Sequence, residues 1–125
     1  MNKESFVGGA LLFTVAILAA AYQSHGLEGG EKAIRLWGTA NLWHALNAIG
    51  VMVVSVAFDK LLPQLRWTAL GTVVAGTFIF SGSIYAQSMT GAPLVGGSAP
   101  LGGSLMIIGW VLIAVAAVAQ KRESD

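Results

Sequence analysis

Asn41, His44 and Asn47 recur at a spacing of three within WGTANLWHALNAIGVMVVSVAF, the stretch from Trp37 to Phe58. On a helix that spacing holds the three polar groups to one side. The rest of the stretch is apolar enough to enter a bilayer, where an amide or ionisable side chain is costly unless it faces protein or a water-filled cavity. Imidazole moves protons near neutral pH and ligates metals. His25 and His44 are the only histidines, and two imidazoles at similar depth on adjacent helices would suit a haem iron or a shared metal. Such a centre would need completing by a loop or another chain, because no Glu-x-x-His pair and no carboxylate lies within an apolar segment. A histidine hydrogen-bonded to Asn41, Tyr85 or a serine is the preferred reading, and no metal or cofactor is assigned.

The elements that must position these groups follow from composition. The chain has 125 residues, of which 55% are hydrophobic and only 10% charged, with 16 Gly. Those proportions lie outside the range of ordinary soluble domains and specify an integral membrane protein. The net charge of +1, with basic residues spread along the chain, argues against a nucleic-acid partner. The absence of Cys removes disulfides, thiol nucleophiles, thiolate metal sites and thiol-linked haem.

Four apolar spans are expected, at about 6–22, 39–58, 67–87 and 101–119, each near the length that a hydrocarbon core of roughly 30 Å requires. The first must be weighed against a cleavable leader, and is read as a retained span because Gly8, Gly9, Ala16 and Ala20 suit helix packing in lipid. Small-residue faces are expected through Gly38, Asn41, Ala45, Ala48 and Ser55 in the second span, Gly71, Ala75 and Gly82 in the third, and Gly102, Gly103 and Gly109 in the fourth. Between the spans, 26–38 reads as a polar connection whose latter part could form an interfacial amphipathic helix. Residues 59–66 read as a short turn, 88–100 as an uncharged Gly/Pro loop, and 121–125 as a charged tail.

The fold class is therefore all-α, a single transmembrane four-helix bundle. Lys3, Lys60, Arg66, Lys121 and Arg122 flank one face and only Lys32 and Arg35 the other, so both termini are expected in the cytoplasm. Tyr22, Trp37 and Tyr85 would then sit near the outer interface and Trp67 near the inner one.

That topology gathers Gln23, His25, Asn41, His44, Asn47, Ser81, Ser83 and Tyr85 toward the outer face. The inner halves carry Thr14, Ser55, Thr68 and Thr72, with Thr77 near the middle; their hydroxyls can bond to the backbone one turn earlier. The expectation is a polar cup open to the outer face above a dry plug. Beside it stands the plainer reading, in which the same groups are interhelical fastenings contributing on the order of a kcal/mol or less each.

Four segments, in order, carry a family likeness: Ser24-His25-Gly26-Leu27, Leu36 to Leu46, Phe80-Ser81-Gly82-Ser83-Ile84-Tyr85, and Ala99-Pro100-Leu101-Gly102-Gly103 through Gly109-Trp110. They resemble the small bacterial membrane proteins grouped as domain of unknown function 423. The resemblance covers nearly the whole chain and implies a four-span inner-membrane protein; it brings no reaction with it. Ala20 to His25 reads AAYQSH, where the family pattern has smaller residues before the histidine.

Two functional classes follow. The preferred one is a non-enzymatic accessory or assembly component, associating with itself or a larger membrane complex through its small-residue faces. The alternative is a binding or transport protein whose cup takes a small solute, proton, metal or haem. An enzyme ranks last, since acid–base chemistry would rest on two histidines and a tyrosine.

Overall fold

The computed structural model describes residues 1–93 and 95–121. Leu94 of the Gly/Pro loop and all of the charged tail beyond Lys121, including Arg122, lie outside the described residues. Four helices follow in order: α1 Lys3–His25, α2 Gly30–Val56, α3 Pro63–Thr90 and α4 Ser98–Ala119. All four are long and apolar enough to cross a membrane. At 1.5 Å per residue the shortest, with 22 residues, spans roughly 33 Å, enough for a ~30 Å core.

Local chemistry explains where the helices begin and end. The Asn2 side chain caps α1 by accepting from Ser5 N at 2.8 Å. Pro63 stands in the first turn of α3, where its missing N–H costs nothing, so the expected turn over 59–66 is shorter than read. It comprises a 3₁₀ turn, Phe58–Lys60, followed by Leu61 and Leu62. Gly91, at φ 82°, closes α3 in the left-handed region. The loop expected over 88–100 shrinks to 91–97, because Pro100 sits in the first turn of α4 rather than before it.

The expected polar connection over 26–38 is corrected more strongly. Only 26–29 lie between helices. The amphipathic residues Ala33, Ile34 and Trp37 are the first turns of α2 itself and not a separate interfacial helix, for Ala33 and Trp37 are buried against neighbours.

The chain runs up and down. Asn2 N donates to Ser55 O and Leu62 N to Ala116 O, each at 2.9 Å, and the Met1 amino group lies 3.2 Å from Asp59. These contacts bring the start of α1, the α2–α3 turn and the close of α4 to one end, hereafter the terminal end. The α1–α2 and α3–α4 connections occupy the opposite, loop end.

Packing is uneven across the bundle. α1 rests chiefly on α2, α2 on α3, and α3 on α4. The α3–α4 pair makes the closest approach: a Cβ on Gly76 would come within 2.6 Å of Met106 N, and one on Gly109 within 2.7 Å of Val73 N. The face that α3 packs is therefore Ala69, Val73, Gly76 and Thr77, all buried. The expected face of Gly71, Ala75 and Gly82 is instead exposed, since small residues suit either a contact or an open wall and their spacing alone does not choose. A core of Val51, Val54, Phe58, Leu61, Leu70, Val73 and Ala116 closes the terminal end.

Candidate functional site

α2 presents donors at positions 37, 41 and 44, and α1 meets them with backbone carbonyls in the reverse order. Trp37 Nε1 donates to Ala19 O at 2.7 Å, and Asn41 Nδ2 to Ala16 O at 2.8 Å. His44 Nε2 lies 2.9 Å from Leu12 O. Steps of four and three on both helices keep the two rows in register. Gln23 extends the row from the other side, donating to Ile34 O at 3.2 Å.

His44 also joins a side-chain chain. A carbonyl can only accept, so Nε2 carries a hydrogen, and in the neutral ring Nδ1 is then the acceptor. The Tyr85 hydroxyl, 2.9 Å from Nδ1, donates to it and in turn accepts from Asn41 Nδ2 at 3.1 Å. Both nitrogens are thereby occupied, and the neutral ring has a single tautomer that satisfies them.

α3 repeats the device on α2. Ser81 donates to Ala40 O at 2.8 Å and Ser88 to Ala33 O at 2.6 Å, seven residues apart on each helix. α4 reaches α2 through Asn47, whose Oδ1 accepts from Trp110 Nε1 at 2.9 Å and whose Nδ2 points at the Met106 sulfur.

The eight residues expected to form a cup are thus divided. Asn41, His44 and Tyr85 come together; Asn47 turns toward α4, and Ser81 fastens α3 to α2 beside them. Gln23 bonds backbone near the loop end, Ser83 bonds carbonyls of its own helix at Ile79 and Phe80, and His25 lies exposed at the end of α1. His44 is level with Leu12, thirteen residues from His25, or about 20 Å along the helix axis. The expectation that the imidazoles share one depth is corrected, and no single metal or haem iron can bridge them.

The open space is also elsewhere. A groove of about 630 Å³ runs between α1 and α3 over a floor of α2 that includes His44 and Val51. Its walls are chiefly hydrocarbon, with Leu12 and Val15 on one side and Leu70, Val74 and Phe78 on the other. It extends from Ser5 and Trp67 near the terminal end up to His44 and Tyr85. Beyond Tyr85 the groove is closed by rings, with Trp37 at 4.5 Å from Tyr85 and Tyr22 at 5.0 Å from Trp37 between centroids; a separate cleft of about 280 Å³ at the loop end is lined by Glu28, Lys32, Leu36 and Gln87 among others. The larger space therefore opens sideways along the flank of the bundle, and of the expected cup residues it is bordered by His44, Ser81 and Tyr85.

Trp37 and Tyr85, expected as interface residues, are inward-facing. As expected, Thr14, Ser55, Thr72 and Thr77 do bond carbonyls one turn earlier, at Ala10, Val51, Thr68 and Val73. Sequence reasoning missed Trp37 and Ser88 as fastenings. The signal was present, for Trp37 precedes Asn41 by four and His44 by seven, and Ser88 follows Ser81 by seven. Among the described residues no group of three or more His, Cys, Asp or Glu is placed to hold a metal ion.

Comparison with known proteins agrees with this architecture. The chain is similar to UPF0382 membrane protein YwdK of Bacillus subtilis, at 39% identity over 93% of this chain and 97% of that one. It is also similar to UPF0382 membrane protein SERP0230 of Staphylococcus epidermidis, at 30% identity over 91% of this chain and 94% of the relative. A third relative, UPF0382 membrane protein SAB0533 of Staphylococcus aureus, is 28% identical over 91% of this chain and 94% of its own length. No solved structure matches the chain. The family described as protein of unknown function DUF423 matches residues 19–103, a range holding the α2 donor row, Ser81, Tyr85 and Ser88; the chain is a multi-pass membrane protein of that family.

Proposed function

We propose that this protein is a non-enzymatic accessory or assembly component of the bacterial inner membrane, with both termini in the cytoplasm. The observation that carries the reading is the destination of the polar side chains. Trp37, Asn41, His44, Ser81 and Ser88 spend their hydrogen bonds on carbonyls of neighbouring helices. A histidine with both nitrogens engaged is a fastening and not a general base waiting for substrate. The outward faces are aliphatic, including Leu11 and Leu18 of α1 and Ile107, Val111 and Val118 of α4. In a bilayer such faces meet lipid or other transmembrane helices. The inner-membrane assignment rests on the bacterial relatives, and the orientation on the excess of basic residues at the terminal end.

The experiment is gentle extraction from native membranes followed by native mass spectrometry, paired with a deletion strain. A discrete larger assembly is expected, with loss of the chain lowering the level of the other component. A bare monomer, together with unchanged levels of every membrane complex on deletion, would overturn the reading.

The groove supports a second reading, a binding protein, but changes its ligand. Walls of hydrocarbon offer little to a proton, metal ion or polar solute, so the molecule that fits is apolar.

A further inference from the structure

We propose that the groove between α1 and α3 holds one acyl chain of an anionic phospholipid, drawn from the leaflet on the side of the two termini. The site stands whether or not the protein also joins a larger assembly. Depth is the first argument. The groove is lined along α1 from Ser5 to Val15, about 15 Å, and along α3 from Trp67 to Tyr85, about 27 Å. It is a slot along the flank of the bundle, which an extended hydrocarbon chain entering at the terminal end can follow within a ~30 Å core.

Width is the second. A volume of about 630 Å³ lies within the ~300–1,000 Å³ typical of small-molecule sites. A groove of that size, walled by hydrocarbon, admits an acyl chain. Its walls are open where they would need to be, since a Cβ added at Gly8, Gly71 or Gly82 meets nothing within 4 Å.

The two ends of the groove differ, which orients the ligand. At the deep end both His44 nitrogens are bonded, the Ser81 hydroxyl is given to Ala40 O, and the Tyr85 hydroxyl is shared between His44 and Asn41. What arrives there is best apolar, which suits the methyl terminus of a chain. At the mouth, Lys3 lies close to Ser5 in sequence and Arg66 precedes Trp67. Among the described residues the terminal end carries the Met1 amino group, Lys3, Lys60, Arg66 and Lys121 against the carboxylates of Glu4 and Asp59. Asp59 is already engaged, 3.2 Å from the Met1 amino group and 4.0 Å from Arg66 Nη1. The loop end is balanced, with Glu28 and Glu31 against Lys32 and Arg35. Positive charge at the mouth alone selects an anionic headgroup there.

The test uses the full chain, purified in a mild detergent and incubated with equal amounts of dioleoyl phosphatidylglycerol and dioleoyl phosphatidylcholine before native mass spectrometry. One phosphatidylglycerol per chain is expected to survive removal of detergent, in about tenfold excess over phosphatidylcholine. Gly71→Leu and Gly82→Leu fill one wall and Gly8→Leu the other, at positions where added atoms meet no neighbour, so helicity by circular dichroism stays unchanged. Each is expected to cut lipid retention about tenfold, while Lys3→Gln lowers the preference for phosphatidylglycerol and leaves chain binding in place. Equal retention of the two lipids, retention unchanged in all three leucine variants, or a lipid-free dimer that Gly71→Leu disperses would each overturn the proposal.

Discussion

Tyr85→Phe removes one oxygen and with it two interhelical bonds, those to His44 Nδ1 and from Asn41 Nδ2. The ring that packs 4.5 Å from Trp37 is kept, so shape is nearly conserved. Interhelical hydrogen bonds within bilayers contribute about 0.6 kcal/mol each, which makes the direct loss ~1.2 kcal/mol. The larger effect falls on His44. Leu12 O fixes Nε2 as the donor, leaving Nδ1 an acceptor that has lost the Tyr85 hydroxyl, and a buried polar group so stranded costs about 1–3 kcal/mol. The single variant should therefore be destabilised by roughly 2–4 kcal/mol. His44→Leu in the same background removes the stranded acceptor, so the double variant should be less destabilised than the sum of the two singles by ~1–3 kcal/mol. Reversible unfolding in mixed micelles of rising dodecyl sulfate fraction, followed by circular dichroism on the four chains, reads this coupling. Additivity within about 0.5 kcal/mol would refute the hydrogen-bond chain and the tautomer on which it rests.

The α3–α4 contact should be the least tolerant part of the bundle. Gly102→Leu drives a side chain into the backbone at Phe80, where neither helix can yield cheaply, and should cost about 3 kcal/mol or abolish folding in the same assay, whereas Gly71→Leu should be nearly neutral. Asn47→Leu strands the Trp110 Nε1–H and should lower stability by about 1–3 kcal/mol; adding Trp110→Phe should recover the part due to the stranded donor, and a double variant showing no recovery would count against that bond. Topology is testable because the chain lacks Cys. In intact cells a membrane-impermeant maleimide should label Glu28→Cys and leave Lys60→Cys unlabelled until the membrane is opened. The reverse pattern would invert the orientation.

The number of helices and the polar side of α2 were legible in sequence because both depend on local pattern. Long apolar runs count spans, and Asn41 and His44, three apart, share a side whatever packs against them, whereas Asn47, about 120° round the helix from Asn41, turns to α4. Their partners were not legible. Trp37 reads equally well as an interface residue until Ala19 O is known to lie 2.7 Å away, and a backbone carbonyl leaves no mark in a sequence. The same holds for glycine. Gly71 and Gly76 are chemically identical, yet one lines open space and the other is pressed against Met106; only the rotation of α3 about its axis separates them. Of the expected cup residues only His44, Ser81 and Tyr85 border the groove, because empty volume depends on which helices fail to touch.

That failure to touch has a physical origin in how the helices are joined. α3 and α4 meet through glycines, with backbone pressed close to backbone at Gly76, Gly102 and Gly109, and such contact fixes a separation tightly. α1 has one such contact, Gly9 against the backbone at Ala48 and Met52, and is otherwise held differently. Few of its residues are buried, Gly9, Ala16 and Ala19, and its outer face is aliphatic and lipid-compatible, so apolar patterning alone does not decide which way it faces. The decision falls to Trp37, Asn41 and His44, whose donors would be stranded in hydrocarbon without the carbonyls of Ala19, Ala16 and Leu12. Binding α1 to the side of α2 that bears those donors, while Ser81 and Ser88 bind α3 to Ala40 and Ala33, leaves both helices on α2 and a space between them. The polar residues therefore shape the groove without needing to touch what fills it: they set the positions of its walls, and hydrocarbon provides its lining.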